Sequence, residues 1–227
     1  MYQLGVLGGM GPESTALFFK RVVEFTRAGG DQEHIPSVIL NATKIPDRTD
    51  ALLQKGPSPL ADLQKGIDDL CALGVSVIAS PCNTAHAFFD RLDVPSGVEL
   101  LNMVRLTLDT AGTEYPLCVL GTTGLNRVGV YERTDRAAHR FLNLADPEQT
   151  LVMDAITAVK AGEHENAAEY LFAAVDSIRS KTPDALFLLS CTELSVLQDR
   201  IRDRFPFLDA LDVLARAAVL ACGYELK

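Results

Sequence analysis

Two of the five cysteines in this chain, Cys82 and Cys191, sit in matching contexts. Cys82 follows the apolar run Ser76-Val-Ile-Ala-Ser80 and Pro81, and leads into Asn83 and Thr84. Cys191 follows Leu186-Phe-Leu-Leu-Ser190 and leads into Thr192 and Glu193. Each stands between a strand-like run and a polar turn that opens a helix. A thiol there meets the positive end of the helix dipole and free backbone N–H donors, which lower its pKa from about 8.5 toward the working range. A facing pair of such thiols has a specific use. One, as thiolate, removes a proton from a carbon next to a carboxylate, while the other delivers a proton to the opposite face. The stereocentre inverts with no cofactor, and reversibility demands the same residue type on both sides.

The remaining cysteines read as small buried hydrophobes: Cys71 within a helix, Cys118 inside a strand, Cys222 near a helix end. With no C-x-x-C pair and no Cys/His cluster at zinc spacing, neither a disulfide framework nor a structural metal is expected.

The elements that would hold these thiols alternate in type. Strands are expected at Gln3–Leu7, Ser37–Ala42, Ser76–Ser80, Leu117–Gly121 and Ala185–Ser190, mostly continuous apolar runs of the kind buried on both faces of a parallel sheet. Helices are expected at Thr15–Arg27 behind Pro12, at Pro59–Leu73 with Leu60, Leu63, Ile67 and Leu70 on one face, and at Pro147–Ala161, His164–Ser180 and Leu208–Cys222. This order makes an α/β protein.

An internal repeat organises the chain. Leu4-Gly-Val-Leu-Gly-Gly-Met-Gly11 is echoed by Leu117-Cys-Val-Leu-Gly-Thr-Thr-Gly124, with Gly8 and Gly121 lying 113 positions apart. Cys82 and Cys191 are 109 apart. Pro95 and Pro206, each followed by an amphipathic helix (Leu100–Ala111 and Leu208–Cys222), are 111 apart. Three landmarks in register indicate two copies of one α/β unit of about 110 residues. The echoed pieces are strand-end turns, where open α/β sheets place ligands.

Composition narrows the function. The chain has 227 residues, 48% of them hydrophobic and 22% charged, with a net charge of −9. The mean hydropathy is +0.13. Such a chain folds as a globular protein rather than staying disordered. The acidic balance, with no basic stripe, argues against a nucleic-acid partner. Apolar runs fall short of a membrane span, and no secretion signal opens the chain, so a cytoplasmic protein is expected.

The residues resemble a known family. Gly8-Gly-Met-Gly-Pro-Glu-Ser-Thr15, Pro81-Cys-Asn-Thr-Ala-His86 and Cys191-Thr-Glu-Leu194 look like the three signatures of the aspartate/glutamate racemase family, and most of all its aspartate racemase branch. The resemblance implies two similar, pseudo-symmetric α/β domains with mainly parallel sheets and an active site in the cleft between them. The division would be 1–98 with 207–227, the last helix returning to the first domain, and 99–206. It implies cofactor-independent racemisation of an acidic amino acid, aspartate or glutamate, by an enzyme that is a homodimer. Cys82 and Cys191 match the family's two catalytic cysteines, and Arg48 and Lys160 match basic residues that bind the two substrate carboxylates. Asn83, Thr84 and Thr192 fall where donors gather around the substrate, and Met10, Thr122 and Thr123 are expected to line the same cleft. Ser190 departs from the family, which has Gly before the second cysteine.

Read from the residues alone, Arg48 offers a planar fork and Lys160 a point charge, either of which could instead be a solvated surface cation. Glu193 could orient a thiol or the bound ammonium, or simply favour the helix dipole. His86, one turn after Cys82, could tune that thiol, though a satisfied buried imidazole is the simpler reading. His34, His139 and His164 have no visible partner. A nucleotide site fails in detail, because the glycine turn does not satisfy G-x-G-x-x-G and no Walker lysine follows. A decarboxylase of malonate-type acids needs only one cysteine. A maleate-type diacid isomerase, or a racemase of another amino acid, keeps both and stays open, as does a binding protein that kept the cleft without turnover.

Overall fold

The computed structural model describes residues 2–227. In chain order the elements are β1 (Leu4–Gly8), α1 (Pro12–Phe25), β2 (Ser37–Asn41), α2 (Arg48–Leu52), α3 (Leu60–Ala72), β3 (Val77–Ala79), a 3-10 helix (Asn83–Arg91), β4 (Glu99–Leu100) and α4 (Met103–Ala111). The second half carries β5 (Leu117–Leu120), α5 (Thr123–Arg127), α6 (Val130–Thr134), β6 (Phe141–Leu142), α7 (Asp146–Lys160), α8 (His164–Lys181), β7 (Leu186–Leu189), α9 (Thr192–Ser195), α10 (Gln198–Ile201), β8 (Phe207–Asp209) and α11 (Ala210–Ala221). A further 3-10 turn spans Asp31–Glu33.

Two four-stranded sheets form, β2-β1-β3-β4 and β6-β5-β7-β8, and every pairing within them is parallel. The second order reproduces the first with each strand advanced by four, as the repeat requires. In both sheets the chain moves outward on one side and then on the other. The switch point falls between β1 and β3, and again between β5 and β7. At such a point the loops after neighbouring strands diverge and leave a crevice at their carboxyl ends. The glycine turn follows β1 and Cys82 follows β3. Thr122 follows β5, and Cys191 follows β7.

Each sheet is covered on both faces. Leu4, Val6, Val77 and Ala79 meet Phe18 and Val22 of α1 and Leu211, Leu214, Ala218 and Val219 of α11. The opposite face, with Leu7 and Ile78, meets Leu63, Ile67 and Leu70 of α3. Full burial of each such side chain contributes about 1.5–3 kcal/mol. In the second half, Leu120, Phe187 and Leu189 pack on α7 and α8, while Leu117, Val119 and Leu188 pack on α4 and α6. Helix α4 serves both halves, since Met103 enters the first core and Val104 and Leu108 the second.

The expected central strands and long helices form within about two residues of their expected limits at most ends, and α1 starts earlier, at Pro12. Three short strands, β4, β6 and β8, have no counterpart in the sequence reading, and β8 takes the start of the helix expected at Leu208. Glu99–Leu100 pairs with β3 and Phe207–Asp209 pairs with β7. Strand β2 corrects the expectation of burial on both faces: it is a sheet edge whose residues are half-buried or exposed, Ile39 among them. The segments after the cysteines also differ from the helix expected to open after each of them. Asn83–Arg91 is 3-10, and the later segment breaks into α9 and α10. Among the described residues no helix is long and apolar enough to cross a membrane.

Candidate active site

The carboxyl ends of the inner strands open onto one cleft. Its inner part is lined by Met10, Asp47, Arg48, Thr49, Cys82, Asn83, Thr84, Thr122, Lys160, Cys191, Thr192 and Glu193, with a free volume of about 20 Å³. It widens into an outer chamber of about 370 Å³ that shares Met10, Asp47, Arg48, Lys160 and Glu193 and adds Pro12, Glu13, Ser14, Ile45 and Val159. The first half supplies Met10 to Thr84, and the second supplies Thr122 to Glu193. Both cysteines and both cations named from sequence therefore share one space.

The glycine turn shapes its floor. Gly9 has φ of +90°, and a Cβ there would lie 2.6 Å from the backbone of Ala42, so both conformation and space demand glycine. Thr15 ties the turn: its hydroxyl accepts from the Gly9 N–H at 2.9 Å and donates to the Gly11 carbonyl at 2.7 Å. Arg48 opens α2 behind the Asp47 N-cap and donates from Nη1 to the carbonyls of Pro46 (3.1 Å) and Ile45 (3.3 Å). Its Nη2 leans on the Met10 carbonyl at 3.4 Å, and its buried Nε has no partner. Burial works against the Arg48 charge, but its neighbours Cys82, Asp47 and Glu193 outweigh it and hold the guanidinium protonated. Lys160, the last residue of α7, faces it from the second half.

Cys82 and Cys191 are 6% and 7% exposed, each capping the N-terminus of the segment that follows. The helix-dipole argument expected lowered thiol pKa values. For Cys191 the structure reverses this: its pKa lies well above the ordinary value, because burial and then the Glu193 carboxylate penalise the thiolate. The Cys191 thiol donates to Glu193 Oε2 at 2.9 Å. Lys160 acts in the other direction without overcoming these effects. A four-residue helix carries little dipole, whereas a buried carboxylate in contact acts at full strength.

Asn83 accepts the Tyr131 hydroxyl at Oδ1 (2.8 Å), which leaves its buried Nδ2 as an unpartnered donor on the cleft wall. The Thr84 and Thr122 hydroxyls meet at 3.1 Å across the two halves, and Thr192 Oγ1 donates to the Pro81 carbonyl at 3.1 Å. Backbone N–H groups of Asn83, Thr84, Thr192 and Glu193 belong to the first turns of their segments, where no intrahelical acceptor exists.

Three residues named from sequence sit elsewhere. Thr123 lines a separate cavity with Asn126, Arg127 and Gln149, its N–H directed at Met153 Sδ (3.3 Å), because Thr122 caps α5 and turns its successor away. His86 lies behind the cleft wall and is fully satisfied. Met103 N–H donates to Nε2 at 3.0 Å, which fixes the proton on Nδ1 for the Cys82 carbonyl at 2.9 Å. Burial drives its pKa down to about 4, so it is a neutral strut rather than a tuner of the thiol. Ser190 does not line the cleft; its hydroxyl donates to the Leu188 carbonyl at 3.3 Å.

The other cysteines are distant from this chemistry. Burial raises Cys118 to about 12 and Cys222 to about 11, whereas Cys71 is half-buried on α3 rather than enclosed as expected. Sequence reasoning missed Asp47 and Thr49, readable in hindsight from the Pro-Asp-Arg-Thr helix start, and Tyr131, which nothing local marks.

A family model described as Asp/Glu/Hydantoin racemase matches residues 7–218. The broad specificity amino-acid racemase RacX of Bacillus subtilis (strain 168) is 26% identical over 225 residues, covering 95% of this chain and 96% of its own. The solved structure of Picrophilus torridus aspartate racemase superposes with a TM-score of 0.89 at 29% identity, covering 100% of this chain and 96% of that one. Glutamate racemase isoform RacE1 from Bacillus anthracis shares the fold, with a TM-score of 0.63 at 13% identity over 96% of this chain and 80% of its own.

Proposed function

We propose that this chain, which belongs to the Asp/Glu/Hydantoin racemase family, inverts the α-carbon of aspartate or glutamate by two-base proton transfer between Cys82 and Cys191 without pyridoxal phosphate. The observation that carries this reading is the convergence of two buried thiols and two cations, one of each from either half, on one cleft. Arg48 grips one substrate carboxylate through its planar fork and Lys160 attracts the other as a point charge. As one thiolate draws off the α-proton, charge builds on the α-carboxylate. The free Asn83 Nδ2 and the first-turn N–H groups of the two cysteine segments are donors already in place to receive it. The thiol on the far face returns a proton to carbon. A two-domain division belongs to this reading, with the packing of α11 on the first sheet in its support. The expected limits of 1–98 with 207–227 and 99–206 move by one short strand at each end, because Glu99–Leu100 pairs within the first sheet and Phe207–Asp209 within the second. So does a homodimeric assembly.

A wider range of substrates is the second reading. The outer chamber of about 370 Å³ beside the clamp leaves room for longer side chains, and broad specificity is the description of the Bacillus subtilis relative.

Proton NMR in deuterium oxide, with single enantiomers and no added cofactor, tests the proposal. Aspartate or glutamate should lose its α-proton signal while the opposite enantiomer grows. Cys82→Ala and Cys191→Ala should each lower inversion by at least about 10³-fold, and the remaining cysteine should still exchange the α-proton of one hand without inverting it. Full inversion surviving either substitution overturns the two-base assignment.

A further inference from the structure

We infer that Glu193 is a positioning residue that keeps the resting proton on Cys191, so that the free enzyme presents one loaded acid and one base rather than two interchangeable thiols. The inference rests on the two-base reading above and adds a direction to it.

The two cysteines are equivalent by repeat and by burial, but their charged neighbours differ. Cys191 Sγ lies 2.9 Å from Glu193 Oε2, and both residues are buried, with Glu193 itself 5% exposed. Among the described residues no carboxylate hydrogen-bonds the Cys82 thiol, which lies instead beside the Arg48 guanidinium in the inner cleft. Among the described residues the titratable and charged groups around Cys191 are Glu193 from α9, Lys160 from α7 and Cys82 from the turn after β3, with Asp47 and Arg48 at the start of α2 lining the same inner cleft. Among these, Glu193 is the one that the Cys191 thiol hydrogen-bonds. The repeat did not dictate this asymmetry, since the position matching Glu193 in the first copy is Thr84.

The consequence follows from proton balance. In the resting form the Cys82 thiolate takes the α-proton, an S–H bond forming as the C–H bond breaks. The electron pair left on carbon takes the proton of Cys191, whose S–H bond breaks. The enzyme is left with protonated Cys82 and a Cys191 thiolate pressed on the Glu193 carboxylate, two negative charges in contact. That form returns to rest when a substrate of the opposite hand reverses the transfer. It also returns when water takes the Cys82 proton and supplies one to Cys191. Because the two enantiomers are equally stable, kcat/KM must be the same in both directions, so the bias appears as kcat and KM that differ between hands by one common factor.

Alkylation of the cleft thiols by iodoacetamide, read by peptide mass spectrometry against pH, tests this without needing turnover. Cys191 in a Cys82→Ser background should label with a midpoint at clearly higher pH than Cys82 in a Cys191→Ser background. Adding Glu193→Gln, which keeps the shape and removes the charge, should raise Cys191 labelling near neutrality by roughly tenfold or more, the size of one charge-assisted hydrogen bond. Glu193→Asp should stay on the parent's side of that shift. Equal midpoints for the two cysteines, or a Glu193→Gln protein that melts like its parent and labels like it, overturn the inference. Inversion that survives Cys82→Ser sinks the two-base reading instead, and the labelling comparison remains readable.

Discussion

In the proposed reaction the amide of Asn83 is a donor to developing charge, and a single hydroxyl from the other half sets its orientation. Tyr131 is wholly buried and donates to Oδ1, so Nδ2 is the end left over for the cleft. Tyr131→Phe deletes that donor with almost no change in volume and leaves a buried carbonyl oxygen unsatisfied, a loss of about 1–3 kcal/mol. Urea unfolding should show that loss at unchanged m-value. Turnover should suffer mainly in kcat, by about tenfold, because the freed amide no longer meets developing charge in a fixed direction. A Tyr131→Phe protein with parental stability and kcat would remove Asn83 from the argument.

Among the elements, the turn between β1 and α1 tolerates least. It must bring the backbone of Gly9 against Ala42 and Thr43 so that Met10 and Gly11 reach the cleft. Gly9→Ala adds a left-handed residue and a Cβ 2.6 Å from backbone atoms that cannot step aside, and the two effects together should exceed about 2 kcal/mol. Gly97 has nearly the same φ, +91°, but nothing lies within 4 Å of its Cβ position. Gly97→Ala therefore carries only the conformational strain, about 1–2 kcal/mol, and should leave catalysis intact. Urea midpoints and racemisation rates of the two variants separate close approach from backbone conformation.

For the molecule as a whole, two buried groups tilt stability in opposite directions over one pH range. Burial lowers the His86 pKa from 6.5 to about 4. Between those values the unfolded chain binds a proton the folded one lacks, so stability falls as pH drops. Burial, reinforced by Asp212, raises Asp209 from 3.8 to about 6, so there the folded protein holds the extra proton and stability falls as pH rises. At 1.36 kcal/mol per unit each effect is about 3 kcal/mol, and in the parent they largely cancel. Asp209→Asn removes one side. Its stability should fall by about 3 kcal/mol more than the parent's between pH 6.5 and 4, by urea midpoints at each pH. The pair of proteins cancels the contribution of other carboxylates, and parallel curves would show that Asp209 does not titrate in this window.

What the sequence determined by itself is what local patterning and repetition encode. Apolar runs placed β1, β3, β5 and β7, the periodic stripes placed α1, α3, α7 and α8, and the echo of Gly8 in Gly121 and of Cys82 in Cys191 foretold two matching sheets. The family resemblance, rather than any local pattern, marked Met10, Asn83, Thr84, Thr122 and Thr192 for one cleft, and the crevice at the carboxyl ends of the parallel strands is where the fold gathers them. Tertiary structure decided what depends on neighbours distant in sequence. Two-residue strands such as β4 and β6 carry too little pattern to be read and exist only because a partner strand is there to pair with them. Tyr131 reaches Asn83 across 48 positions. Thr123 turns away from the cleft beside a residue that enters it. The thiol of Cys191 has its pKa raised, although the helix start alone argued for the reverse. A protonation state is set by the sum of burial and contacts in three dimensions, and no motif, however well matched, contains that sum.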